Sequence, residues 1–275
     1  MNNKLPLISI ALATFNGESF LREQINSIIN QDYSNFELVI SDDGSTDNTL
    51  DILLEYAQND RRIKISENPN PRGFKYNFER AILMCSGDII FLCDQDDFWY
   101  KNKISEHLKI YNSDNKIAWI FNDFNSVDKN NNFLGRSVNI SPGYFKGINL
   151  LNRIGGRCVI GCTTSYKSIF LKNIFPIDDL SPSHDSWIQL FFSSKKHYFI
   201  DKVLQNYRQH DNNVFGFRRD NNIKDRYLIN LDIIRSAKYT NNISKNKIFS
   251  FKRRSLFKFI YFLKMVKHFN LFIHF

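Results

Sequence analysis

The 275-residue chain has only four cysteines, and none stands in a Cys-x-x-Cys pair. Zinc binding and dithiol redox chemistry favour such spacing, so Cys85, Cys93, Cys158 and Cys162, all in apolar surroundings, read as reduced core residues. Glycine-rich phosphate loops are missing as well. No Gly-x-Gly-x-x-Gly follows the first apolar run and no Gly-Lys-Ser/Thr occurs, which makes dinucleotide oxidoreductases and nucleoside triphosphatases poor fits. The apolar run from Leu7 to Leu12 is too brief for a secretory signal and has no small-residue cleavage site, so a cytoplasmic location is expected. Acidic residues are absent from residues 240–275, where eight Lys/Arg stand; that segment carries most of the net charge of +9 and leaves +1 for the rest. A body so close to neutral gives no nucleic-acid footprint.

What is present is an alternation. Apolar runs at Leu7 to Ala13, Phe36 to Ile40, Ile63 to Ser66 and Asp88 to Cys93 predict buried strands. Between them, Ser19 to Ile29, Thr49 to Ala57 and Phe74 to Met84 carry apolar residues at helical spacing. This βαβαβαβ order implies an α/β fold with a mostly parallel central sheet, helices on both faces, and a ligand site at the carboxyl ends of the strands. Three polar clusters fall at such ends: Thr14-Phe15-Asn16-Gly17, Asp42-Asp43-Gly44-Ser45 and Asp94-Gln95-Asp96-Asp97. Past Trp99 a helix is expected near Lys103 to Tyr111, strands at Ile117 to Phe121 and within Cys158 to Tyr166, a loop at Gly155-Gly156, and a helix opening at His184-Asp185-Ser186-Trp187. A soft boundary is expected near residue 100, with 1–100 and 101–216 as two halves of one domain and 217–275 as a helical tail.

Three carboxylates within four positions after a buried strand repel one another unless a cation sits among them. Oxygen ligands select hard cations, so Mn2+ or Mg2+ is the expected cofactor, its shell completed by water and substrate phosphates. An acidic turn or helix cap would use the same residues, but the position after Ile89-Ile90-Phe91-Leu92 favours the cation. Asp43 offers an acceptor for the imide N–H of a pyrimidine, and Gly44 lets backbone approach a ligand. Arg72 is suited to a diphosphate or a ribose.

Together these segments resemble family 2 of the inverting glycosyltransferases, which have the GT-A fold. The resemblance runs over roughly residues 5 to 215. It rests on the three clusters, on Gly73 to Asn77, Ser86-Gly87-Asp88 and Phe98-Trp99, and on His184-Asp185-x-Trp187 and Tyr207-Arg208-Gln209-His210. The Asp-Gln-Asp-Asp-x-Trp form is similar to rhamnosyltransferase-like members that build bacterial surface polysaccharides such as O-antigen or capsule. Phe15 stands where a tyrosine is common, and His184 stands before Asp185 where many relatives have glutamate.

The resemblance implies that Thr14, Phe15, Asn16, Asp42, Asp43, Arg72, Asn77, Asp94, Gln95, Asp96 and Arg208 face the nucleotide-sugar. It implies metal ligation by Asp96, Asp97 and His210, with His210 alternatively on the diphosphate. Asp185 becomes the general base, and His184 and Trp187 acceptor contacts. The expected reaction moves a sugar from a dTDP- or UDP-sugar to a hydroxyl of a growing, lipid-linked glycan. Rhamnose is the first choice; galactose, glucose or an N-acetylhexosamine are the others. The competing class is a non-catalytic sugar-nucleotide or glycan-binding module of the same fold, against which intact Asp96 and Asp185 argue.

In the tail, Phe251, Phe259, Phe262, Val266 and Phe269 recur at helical spacing among lysines and arginines that interrupt any membrane span. An in-plane helix on the anionic inner face of the plasma membrane is expected, a helix packed on the body being the alternative.

Overall fold

The structure is a computed structural model, and it describes residues 5–68, 70–136, 159–179, 181, 183–192, 195–211 and 213. The tail helix, the Gly155-Gly156 loop and Cys158 lie outside the described residues. In chain order the elements are β1 (Ile8–Thr14), α1 (Glu18–Ile29), β2 (Phe36–Asp42), α2 (Thr49–Asn59), β3 (Ile63–Glu67), α3 (Phe74–Met84), β4 (Ile89–Cys93) and β5 (Phe98–Trp99). They continue with α4 (Lys103–Ser113), β6 (Trp119–Asp128), β7 (Phe133–Arg136), β8 (Thr164–Lys167), α5 (Ser168–Leu171), α6 (His184–Phe192) and β9 (His197–Gln209).

All the strands join one sheet in the order β3-β2-β1-β4-β8-β6-β9-β5, with β7 on β6. The first four are parallel, as their buried apolar runs require. Beyond β4 the sheet turns mixed: β8 is antiparallel to β4 and β6, β9 is parallel to β6, and β5 is antiparallel to β9. Residues 1–100 and the strands after them therefore share one sheet. Among the described residues no helix is long and apolar enough to cross a membrane.

Alternation along the strands assigns the helices to faces. Ile8, Ile10, Leu12, Leu38, Ile40 and Phe91 join Leu21, Ile25 and Ile28 of α1, Ile52 and Leu53 of α2, and Ile104 of α4 in one core. Intervening positions of β1 turn to the other face, where the Ser9 hydroxyl accepts the Gly87 N–H just after α3. Leu21, Ile25 and Ile28 are fully buried, each contributing about 1.5–3 kcal/mol, so the N-terminus of α1 is firmly set at the sheet's carboxyl edge.

The chain divides into two compact units. The sheet lies in Met1–Gly147, Val159–Ile177 and Ser194–Gly216; α6 belongs to the other, with Ile148–Cys158, Asp178–Ser193 and Phe217–Phe275. In α6, the Ser183 hydroxyl accepts the Ser186 N–H at 3.1 Å and caps the first turn. Asp185 lies within that turn, one residue before Ser186.

Candidate active site

Strand order reverses at β1, whose neighbours are β2 and β4, and the three polar clusters meet at this switch point. Thr14 and Asp42 are partners in the β1–β2 ladder. Asp42 accepts from the Thr14 hydroxyl (2.7 Å), the Ser45 hydroxyl (2.6 Å), the Ser45 N–H (2.8 Å) and the Gly44 N–H (3.1 Å). Four donors fill a carboxylate, so Asp42 organises its loop where the sequence suggested donor contact. Gly44 sits at φ +80°, and a Cβ there would come within 2.8 Å of Pro71 Cγ.

Asp43 is 3% exposed and accepts from Asn68 Nδ2 (2.8 Å), the Gly73 N–H (2.7 Å) and the Arg72 N–H (3.3 Å), which pins the loop before α3. The exposed Arg72 guanidinium lies 3.9 Å over the Tyr76 ring. Asn77 is buried and donates to the Thr14 carbonyl at 2.9 Å, closing the end of β1 rather than facing a ligand with its amide nitrogen.

Cross-links bind the clusters into one rim. The Asn16 N–H donates to the Ser45 hydroxyl (2.9 Å), and Asn16 Oδ1 accepts the Thr46 N–H (2.8 Å). The Gln95 amide grips the Phe15 backbone at both ends, accepting its N–H (2.9 Å) and donating to its carbonyl (3.0 Å). Gln95 thereby spaces the loops rather than reaching outward. The Phe15 ring is 53% exposed, open to stacking.

In the acidic cluster, Asp94 and Asp96 are half-buried and Asp97 is fully buried. β9 reaches this cluster because it pairs with β5, Trp99 opposite Gln205 and Phe98 opposite Asn206. Gln205 Nε2 donates to Asp97 Oδ2 (3.0 Å) and the Arg208 N–H to Asp97 Oδ1 (3.2 Å). Burial, with the charges of Asp96 and Asp94, pushes the Asp97 carboxyl well above the usual carboxylate range. At the end of β9, His210 Nε2 is 2.8 Å from Asp96 Oδ2.

Arg208 is 2% exposed. Its guanidinium donates to the Asp96 carbonyl (2.8 Å), the Lys129 carbonyl (3.1 Å) and Glu23 Oε2 (2.5 Å). It braces the acidic loop instead of presenting its fork to a ligand, a correction to the sequence expectation that comes from the β5–β9 pairing.

The expected metal set, Asp96, Asp97 and His210, is regrouped. Ligand atoms of Asp94, Asp97 and Cys162 lie within 4.8 Å of one another, while His210 goes with Asp96. Two carboxylates crowded into a buried corner fit a divalent cation, which would relieve the repulsion that raises Asp97. Cys162 precedes β8 and was read from sequence as mere core; its thiol is pushed well up by burial and by Asp97 and Asp94. Lys103 and Gln205 were also missed. Lys103 Nζ is fully buried, donates to the Cys162 carbonyl (2.7 Å) and to Gln205 Oε1, and lies 3.9 Å over the Trp99 ring. Burial, opposed by Cys162, Cys93, Asp97 and Asp94, presses its pKa down to about 8. Cys85, Cys93 and Cys162 are free and buried, as expected.

In α6, His184 Nε2 stands 2.8 Å from Asp185 Oδ1, and the Trp187 and Phe191 rings are 5.0 Å apart. His184 and Trp187 are buried, and Asp185 keeps partial exposure.

The family model described as glycosyl transferase family 2 matches residues 9–175. The chain belongs to glycosyl transferase family 2. A family 2 relative, the Escherichia coli UDP-Glc:alpha-D-GlcNAc-diphosphoundecaprenol beta-1,3-glucosyltransferase WfgD, is 31% identical over 62% of this chain and 63% of its own length. The match thus spans less than two thirds of that relative. The putative teichuronic acid biosynthesis glycosyltransferase TuaG of Bacillus subtilis is 25% identical over 78% of this chain and 83% of its own. Among solved structures, Staphylococcus aureus TarS 1-349 in complex with UDP-GlcNAc superposes with a TM-score of 0.61 at 21% identity, covering 86% of this chain and 72% of that one. It bears out the GT-A fold for this family 2 chain.

Proposed function

We propose that this family 2 protein transfers a hexose or deoxyhexose, with inversion, from a UDP- or dTDP-sugar to a hydroxyl of a lipid-linked glycan in surface polysaccharide synthesis. The observation that carries this is the single rim at the β1 switch point, where Gln95 and Asn16 lock three loops around an acidic cluster. Phe15 offers its exposed ring to the base, and the Asp43 carboxylate is assigned to the pyrimidine. Asp94, Asp96 and Asp97, with His210 or Cys162 beside them, would hold a Mn2+ or Mg2+ ion, which would supply positive charge to the departing diphosphate. Arg72 adds to that charge, while Arg208 and Gln205 keep the carboxylates in place.

Asp185 is the base: one of its carboxylate oxygens takes the proton of the acceptor hydroxyl as that oxygen attacks the anomeric carbon in line. His184 orients this carboxylate, and Trp187 is assigned to the acceptor side. The acceptor class is supported by the names of WfgD and TuaG, which concern a diphosphoundecaprenol-linked sugar and teichuronic acid. The sugar stays between rhamnose, favoured by the resemblance, and glucose, galactose or an N-acetylhexosamine. The work is placed on the inner face of the plasma membrane, with the basic residues 240–275 supplying contact to anionic lipid.

The test is a donor panel of dTDP-rhamnose, UDP-glucose, UDP-galactose and UDP-N-acetylglucosamine with an undecaprenyl-diphosphate-linked sugar. Nucleoside diphosphate release with one donor, lost in Asp185→Ala, is expected. Near wild-type transfer by Asp185→Ala would remove it as the base, and binding of donors without transfer to any acceptor would favour a non-catalytic module.

A further inference from the structure

Lys103 and Arg208 are the buried lysine and arginine side chains among the described residues. Arg208 has a carboxylate partner, Glu23. Lys103 has none at ion-pair distance among the described residues: its Nζ meets a carbonyl, an amide oxygen and the face of Trp99. Burying an ammonium against neutral partners alone is strongly unfavourable, so negative charge must lie close beyond them. It lies one amide away. Gln205 accepts a hydrogen bond from Lys103 Nζ on Oε1 and, from Nε2, donates to Asp97 Oδ2 (3.0 Å) and to Cys162 Sγ (3.3 Å). The amide is polarised in the direction that carries the ammonium's field to the carboxylate. The same lysine donates to the backbone of Cys162, whose thiol is grouped with Asp94 and Asp97.

We propose that Lys103 is the resident counter-charge of the Asp94–Asp97 cluster, a positioning residue that holds Asp97 through Gln205 whenever no divalent cation is bound. Without it, Asp94 and Asp97 would repel one another with less compensation and would separate in the empty enzyme. With it, the site stays formed between successive donors, and the cation is held less tightly than the carboxylates alone would hold it, easing its exit with the nucleoside diphosphate. The second half of this proposal rests on the cation reading above; the first half does not.

A double-mutant cycle on the full chain separates the two. Thermal unfolding is followed in EDTA for wild type, Lys103→Met, Asp97→Asn and the pair. Lys103→Met keeps most of the volume and removes the charge. In EDTA its Tm is expected to fall by roughly 5 °C or more, and Asp97→Asn in that background is expected to recover at least half of the fall. Losses that simply add would overturn the proposal, because a lysine that only fills space has no reason to couple to the charge of Asp97. If Lys103→Met yields no folded protein, recovery of folded protein in the pair supports the proposal and failure of both overturns it. In a second arm Mn2+ is titrated into Lys103→Met and wild type, and roughly tenfold tighter binding to the variant is expected. Coupling in EDTA with no Mn2+ binding to either protein would leave the counter-charge standing and remove the cation reading. Coupling with equal Mn2+ affinities would overturn the claim that Lys103 weakens the cation's hold.

Discussion

His210 Nε2 lies 2.8 Å from Asp96 Oδ2, joining the end of β9 to the acidic loop across 114 positions of sequence. The Phe20 ring flanks the imidazole with its centroid 5.0 Å away, and Asn213 Nδ2 reaches the same Asp96 oxygen at 3.4 Å. The two side chains thus work as one unit. His210→Ala and Asp96→Asn are each expected to lower kcat/KM by at least about 30-fold, and the double variant to be no more than about threefold worse than the poorer single one. Steady-state kinetics with the best donor of the panel check this; losses that multiply would mean independent roles.

Gly17 is held to glycine by its neighbour rather than by its backbone. A Cβ there would come within 2.3 Å of Gln95 Oε1, the atom that accepts the Phe15 N–H. Gly17→Ala should push the Gln95 amide off Phe15 and raise KM for the donor several-fold. In a Gln95→Ala background the same substitution should be nearly silent, a coupling of about 1 kcal/mol or more. Equal effects in both backgrounds would show that the clamp does not set donor binding.

Away from the site, Glu37 supports the other face of the sheet. Burial raises its pKa, but hydrogen bonds from Lys64, Ser9 and Ser86 outweigh it and hold the carboxyl down near 2. Its folded pKa is depressed, so its stabilisation is complete above the unfolded value near 4.5 and is lost as pH falls from there toward 2. Glu37→Gln is expected to cost at most about 3 kcal/mol at pH 7 and to flatten the stability profile between those limits, as read by urea unfolding across pH. An unchanged acid limb would contradict the assignment.

The first half of the fold was legible because parallel strands buried on both faces read as plain apolar runs. Ile8 to Leu12 and Ile89 to Cys93 announced their strands, and the polar residues after them announced the rim. What the sequence hid depends on ladders between distant segments. Asp97 meets Gln205 and Arg208 only because β5 pairs with β9, and Cys162 meets Asp97 only because β8 runs antiparallel beside β4. The β5–β9 ladder turned Arg208, and the β1–β4 ladder Gln95, from expected ligand contacts into braces. One signal could have exposed Lys103: a lysine four residues after Trp99 and beside Ile104, Leu108 and Tyr111 on the apolar face of an amphipathic helix, where its stem enters the core.

The central claim is that the Asp94 to Asp97 cluster holds a nucleoside diphosphate through a divalent cation, and calorimetric titration with UDP or dTDP tests it without any acceptor. Wild type is expected to bind one of them at least about tenfold more tightly in Mn2+ than in EDTA, a difference of about 1.4 kcal/mol or more that disappears in Asp96→Asn. Equal affinity in Mn2+ and EDTA for the wild-type protein would contradict the account.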